Sequence, residues 1–183
     1  FARALAAALQ RAGVLVRLVD TNRSNVMQAR LDGLDAVAGN ILSQQVENDL
    51  DLAGLGRLLA LTENDEANAL ACRHFAEEFG SAGVYQLPPQ LSPRGGQAPS
   101  EARLGRLLFG ADAVPAALAE RLENGAVIKA TTLTDKYTWE DFQRQGGEQT
   151  LPLLAVRAGR LTVATAERPL KPAAGSTVIA LSG

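Results

Sequence analysis

Asp20 closes an apolar, β-branched run, Val14–Val19 (VLVRLV), and that position carries a chemistry. A carboxylate at the end of the second strand of a dinucleotide-binding fold accepts hydrogen bonds from an adenosine ribose. The glycine-rich phosphate loop of such folds lies about 20 residues before the acid. Here that count falls just before Phe1, so Phe1–Gln10 becomes the helix whose N-terminus faces the phosphates. Asp20 can equally cap the turn Thr21-Asn22-Arg23 that follows it. Position alone leaves the two roles level.

Two further groups stand at corresponding places. Gly39-Asn40 follows the next strand-like segment, where a small residue and an amide let the chain approach an adenine ring. Such pairs are also common turn formers, and on its own the pair reads as a turn. Thr62-Glu63-Asn64-Asp65 follows a third strand and would border a ligand crevice at the carboxyl end of a parallel sheet. Helix capping explains it nearly as well. His74 is the single histidine, one turn beyond Leu70, with no acid or nucleophile indicated beside it. A general base needs such a partner within hydrogen-bond reach, so His74 is not expected to be catalytic. No Ser/His/Asp, Cys/His or metal-ligand spacing occurs.

These residues need strand ends and helix starts to position them, and the first 88 residues alternate accordingly. Ala2–Arg11 reads as a helix stopped by Gly13, Val14–Val19 as a strand, and Ser24–Arg30 as a helix capped by Ser24. Leu34–Ala38 and Arg57–Leu61 read as strands, with a helix over Ser43–Leu50 between them. A longer helix, capped by Asn64 or Thr62, runs to Phe79 and Gly80, and Val84–Leu87 is a fourth strand. Alternation with short connections argues for a parallel sheet with right-handed crossovers. Pro88–Ser100 is rich in proline and glycine and reads as a linker, taken as 89–103 between units at 1–88 and 104–183. In the second unit Leu107–Phe109, Ala126–Leu133, Leu151–Arg157, Leu161–Thr165 and Thr177–Leu181 read as strands. Val114–Leu122 and Thr138–Gln145 read as helices, and Ala158-Gly159 as a hairpin turn. Trp139 and Tyr137 are expected to anchor this second core, Tyr137 with its hydroxyl in water. Thr131–Asp135 reads as a strand end and not as a ligand site.

Composition narrows the partners. Of 183 residues, 18 are Lys or Arg and 20 are Asp or Glu, a formal net charge of −2. That balance gives no electrostatic footprint for nucleic acid or anionic lipid. Cys72 is the sole cysteine, which excludes an internal disulfide and a cysteine-cluster metal site and suits a reducing compartment. No apolar run approaches the roughly 18–20 residues that span a bilayer, and no signal peptide is visible. The chain opens inside a helix without a cap, so it is expected to be a piece of a longer polypeptide.

The stretches VRLVDTNRSNVMQARLDGLDAVAGNIL, RLLALTENDEANALACRHF and GVYQL resemble the nucleotide-binding half of the RCK family. These regulator-of-K⁺-conductance domains, also called KTN or TrkA-N domains, are cytosolic parts of K⁺ channels, Trk/Ktr uptake systems and cation/proton antiporters. The family carries an acid after its second strand, Gly-Asp or Gly-Asn after its third, and Thr-x-x-Asp-x-x-Asn after its fourth. This sequence has Asp20, Gly39-Asn40 and Thr62 through Asn68, and the resemblance covers about 88 of its 183 residues. LTENDEANALACRHFAEEFG most resembles tails of bacterial Na⁺/H⁺ antiporters.

The resemblance implies a Rossmann-like parallel sheet that lacks its first strand and glycine loop in this chain, followed by a small α+β domain, TrkA-C-like by position. It implies no phosphate contact for any residue present. The missing strand belongs between those starting at Val14 and Arg57, and a central gap with unpaired backbone groups is costly. Upstream residues or a neighbouring chain are expected to fill it. The implied cofactor is NAD(H), or another adenine nucleotide such as ATP, ADP or AMP, bound by Asp20, Thr21, Asn22, Arg23, Gly39, Asn40, Thr62, Glu63 and Asn64. Within that set Asp20 takes the ribose hydroxyls and Asn40 lies near the adenine. An acid at 20 disfavours a 2′-phosphate, although Arg23 could modify that.

The function expected is a nucleotide-sensing regulatory region, not an enzyme, of a monovalent cation/proton antiporter. It would lie at the cytoplasmic face of the membrane, joined to the transmembrane region of the same polypeptide, homodimeric and without nucleic acid. The alternatives are a small NAD-dependent oxidoreductase, which needs a catalytic pair the chain does not display, and a ligand-free dimerisation platform.

Overall fold

The computed structural model describes residues 1–90 and 104–183, with the backbone alone at 47–49 and 148. The linker expected at 89–103 thus lies, from 91 on, outside the described residues. Helix α1 (Ala2–Arg11) is followed by β1 (Arg17–Asp20), α2 (Arg23–Leu31), β2 (Asp35–Ala38) and α3 (Gln44–Asp49). Next come β3 (Leu58–Ala60), α4 (Asp65–Phe79), β4 (Val84–Gln86) and β5 (Arg106–Leu107). The remainder is α5 (Pro115–Glu123), β6 (Val127–Thr132), α6 (Trp139–Gly146), β7 (Thr150–Arg157), β8 (Arg160–Val163) and β9 (Thr177–Ser182).

Several strands begin later than the apolar runs suggest, for one physical reason. The amide of Val14 donates back to Leu9 O at 3.0 Å, and that of Gly13 to Gln10 O at 3.0 Å. This pair of reversed bonds satisfies the last carbonyls of α1 and requires a left-handed residue, which Gly13 supplies at φ +78°. Leu34 closes α2 on Ala29 O, and Ala126 closes α5 on Arg121 O, in the same way. The first apolar residues after each helix are therefore spent on its end. The cap of α2 also differs from expectation: Asn22, not Ser24, accepts the amides of Ser24 and Asn25.

The parallel strands fall into two sheets. β1 pairs with β2 from Arg17↔Asp35 to Asp20↔Ala38, and β3, β4 and β5 form the other in that order. Among the described residues no ladder joins β1 to β3. Their facing edges instead line a cavity of about 1390 Å³, into which Val16, Leu18, Leu59 and Leu61 contribute. At its base Arg17 pairs with Asp35 at 2.7 Å and donates to Asp51 O at 2.7 Å, tying β1 to the segment that leads into β3.

The strand expected over Leu107–Phe109 is displaced to Arg106–Leu107, and it lies beyond the boundary placed at 104 while pairing parallel with β4. Gln86, fully buried on β4, draws it in by accepting the amides of Leu104 and Gly105. β6–β9 form an antiparallel sheet in the order β6-β9-β7-β8. Ala158 and Gly159, at φ +47° and +73°, make its tight β7–β8 turn. The Tyr137 hydroxyl donates to Gln145 Oε1 at 2.6 Å in a solvent-exposed hydrogen bond. Trp139 stacks on Phe142 with centroids 5.3 Å apart.

Helix α1 faces two cores. Ala6 packs with Val26, Ala29, Leu34 and Ala36 beneath β1 and β2. Leu5, Ala8 and Leu9 enter a larger core with Tyr85, Leu87, Leu153, Leu154, Ile179 and Leu181, which joins β4 to the antiparallel sheet. Leu5 is 1% exposed. Truncating Leu5 to alanine is expected to cost about 2–5 kcal/mol in denaturant unfolding, the range for a buried leucine.

Helix α6 carries a capping box, Thr138 accepting from the Asp141 amide while Asp141 accepts from the Thr138 amide. That backbone bond, then the Thr138 hydroxyl, then Arg144, hold the Asp141 carboxyl below its ordinary value. A depressed folded-state value means the contribution is complete above the ordinary aspartate range, about pH 3.9, and fades as pH falls through the depressed one. The thermal midpoint of Asp141→Asn should lie below that of the parent at pH 6. The gap should close as pH drops below about 4.

Candidate functional site

The parallel strands β1, β2 and β3 deliver their carboxyl ends to one region. Asp20, Thr21, Gly39, Asn40, Thr62, Glu63 and Asn64 all line the cavity between the sheets. Asn22 and Arg23 do not: Asn22 spends its side-chain oxygen on the start of α2, and Arg23 is the exposed first residue of that helix.

Each group is held by short-range bonds. Asp20 Oδ1 accepts the Asn22 amide at 2.8 Å, and its Oδ2 accepts Asn25 Nδ2 at 2.9 Å. The Gly39 amide donates to Asp20 O at 3.0 Å, closing the end of β2 onto the end of β1. Asn40 Oδ1 accepts the Leu42 amide at 3.0 Å, so its oxygen serves the turn, as the sequence reading favoured. Gly39 is required by space: a Cβ there would lie 2.3 Å from Val46 Cγ2.

The third loop is fixed from below by Asn68, which is 1% exposed. Asn68 Nδ2 donates to Thr62 O at 2.8 Å, while its Oδ1 accepts the Thr62 amide at 3.1 Å and the Thr62 hydroxyl at 2.7 Å. Asn64 caps α4 through the Ala67 amide at 2.9 Å. Capping and crevice lining are therefore the same geometry, not rival ones.

Comparison with protein families matches residues 1–85 to the TrkA-N domain. Among solved structures the chain is similar to the NAD(P)-binding domain of an exopolyphosphatase-related protein from Archaeoglobus fulgidus. That likeness has 24% identity and a TM-score of 0.44, over 66% of this chain and 88% of the other. A GsuK channel is similar at 16% identity and a TM-score of 0.45, over 99% of this chain and 35% of the channel chain. The chain thus spans about a third of that channel's length. No curated protein matches it.

Within the matched residues 1–85, two residues not foreseen as part of the site fix the shape of its loops. Asn68 was visible only as the last position of a family motif, and Asn25 only as an ordinary helix residue. The signal for Asn25 was its spacing: five residues beyond Asp20 and three beyond the cap Asn22 brings an amide over the carboxylate. Burial pushes the Cys72 thiol up to about 12, and its Sγ donates to Tyr85 O at 3.4 Å. His74 packs edge-on against Phe75 with centroids 5.0 Å apart. Among the described residues no group of three or more His, Cys, Asp or Glu is placed to hold a metal ion. No helix there is long and apolar enough to cross a membrane.

The contact at Gly39 gives a direct check. Val46 is buried and β-branched, so a methyl group at 39 must displace it. Gly39→Ala should lower stability by about 1–3 kcal/mol in urea unfolding, the usual cost of overpacking.

Proposed function

We propose that this chain is the cytosolic nucleotide-sensing regulatory region of a membrane monovalent cation/proton antiporter. On this reading residues 1–88 bind NAD(H), or another adenine nucleotide, and residues 104–183 form the small regulatory unit that responds. The observation that carries it is the convergence of Asp20, Gly39-Asn40 and Thr62–Asn64 on one cavity at the carboxyl ends of parallel strands. That is where open α/β sheets take their ligands. Asp20 receives the ribose hydroxyls, and the carbonyl edge and small residue at Gly39-Asn40 leave room for the adenine. The slot between β1 and β3 receives one extended strand, from the same polypeptide or a neighbour, which supplies the phosphate loop.

Regulation follows from differential affinity. A nucleotide shifts transport only if it binds one arrangement of the two units, or of a homodimer, better than another. The site lies at the cytoplasmic face of the membrane, attached to the transmembrane region of the same polypeptide. On this reading the role is regulatory and not enzymatic.

Calorimetry with NAD⁺, NADH, ATP, ADP and AMP on the full-length polypeptide tests this reading. At least one of them should bind, and Asp20→Ala should weaken that ligand by about 1–3 kcal/mol through loss of charged hydrogen bonds. Unchanged affinity removes Asp20 from the site. Absence of binding by all five favours a dimerisation platform, and NADH turnover above background with a substrate revives an oxidoreductase.

A further inference from the structure

We infer that Asn25 is the positioning residue that makes Asp20 selective for a vicinal diol over a single hydroxyl. The inference rests on the ribose reading of Asp20 given above and adds a residue and a specificity to it.

Asp20, Asn22 and Asn25 form a closed circuit of hydrogen bonds. Asp20 Oδ1 accepts the Asn22 amide, Asn22 Oδ1 accepts the amides of Ser24 and Asn25 at 2.9 and 3.4 Å, and Asn25 Nδ2 returns to Asp20 Oδ2 at 2.9 Å. Asn25 is exposed, yet it lines the large cavity beside Asp20 and also a second one of about 340 Å³ against α1. None of the ion pairs among the described residues includes Asp20. Its carboxylate is therefore oriented by amides and not by a cation.

Orientation matters because the terminal torsion of an aspartate is broad and roughly two-fold. One bond, from the Asn22 amide, leaves the carboxylate plane free to turn about it. The second bond, from Asn25, fixes the plane. An ionised carboxylate offers about four lone-pair sites, so each oxygen keeps one after the circuit is satisfied. Two adjacent hydroxyls can meet both remaining sites only if the plane is held. A single hydroxyl can be followed by a carboxylate that turns. Loss of Asn25 should thus penalise a diol more than a lone hydroxyl.

The test compares AMP, ADP and NAD⁺ with the 2′-deoxyadenosine form of each, by calorimetry on the full-length polypeptide. The parent should prefer the ribose form by about tenfold, and Asn25→Ala should reduce that preference to about twofold or less, in line with the loss of one positioned hydrogen bond. Asn25→Asp introduces an acid suited to the first turn of α2 but sets a like charge against Asp20. It should erase the preference while the thermal midpoint changes little. Equal weakening of ribose and deoxyribose forms marks Asn25 as merely structural and overturns the inference, as does an unchanged ratio. If the parent binds no nucleotide at all, the ribose reading itself falls and this inference falls with it. If the parent binds and prefers ribose but neither variant alters the ratio, only the role of Asn25 falls.

Discussion

Among the described residues the parallel strands stand in two sheets that no hydrogen-bonded ladder joins, and helix α1 packs against the cores of both. Among the described residues a cavity and not a backbone ladder lies between β1 and β3. What keeps the two sheets in register is side-chain packing on α1, whose Ala6 belongs to the core under β1 and β2 while Leu5, Ala8 and Leu9 belong to the core shared with the antiparallel sheet. The Arg17 guanidinium adds one polar tie at the base. Apolar packing is non-directional, whereas a β-ladder fixes both spacing and register. The separation of the strand ends that carry Asp20 and Thr62 is therefore set by the softer kind of interaction.

That arrangement explains why the candidate site is built of self-contained loops. Each strand end stabilises its own polar residues: Asp20 through Asn22 and Asn25, Asn40 through Leu42, Thr62 through Asn68. A site whose walls are joined by packing cannot depend on bonds across the gap to hold its side chains in place. Local circuits do so on either side, leaving lone pairs on Asp20 directed to whatever enters.

The alternation of helices and strands was legible because the helix stops are written in glycine and the caps in Asn, Ser and Thr. Gly13, Gly33 and Gly125 all mark real helix ends. The strand starts were misplaced because periodicity does not distinguish a valine in a ladder from a valine that folds back on a helix carbonyl, as Val14 does. Asp20, Gly39 and Thr62 were legible as strand-end residues, and all three line the cavity between the sheets. Asn22 was placed with the binding residues, and in the structure its side-chain oxygen caps α2, a task that the same amide serves equally well. Asn25 and Asn68 went unassigned for a related cause: each acts on a neighbour five or six residues back through a helical turn, and that spacing becomes a signal only once the caps Asn22 and Asn64 are placed.

The same geometry bears on how a ligand event at the strand ends could reach residues 104–183. The cavity is walled by β1 and β3 and also by Leu118 and Leu122 of α5 and Leu161 of β8. Helix α1 contributes Leu5 and Leu9 both to that wall and to the core behind it, which contains Leu153, Leu154, Ile179 and Leu181. Packed cores answer displacement by changing between discrete arrangements and not by gradual compression. A nucleotide or strand that sets the distance between β1 and β3 must also set the seat of α1, and α1 cannot shift without repacking against the antiparallel sheet. On the regulatory reading no further linkage is needed, because the element that holds the site open is the element on which the second unit rests.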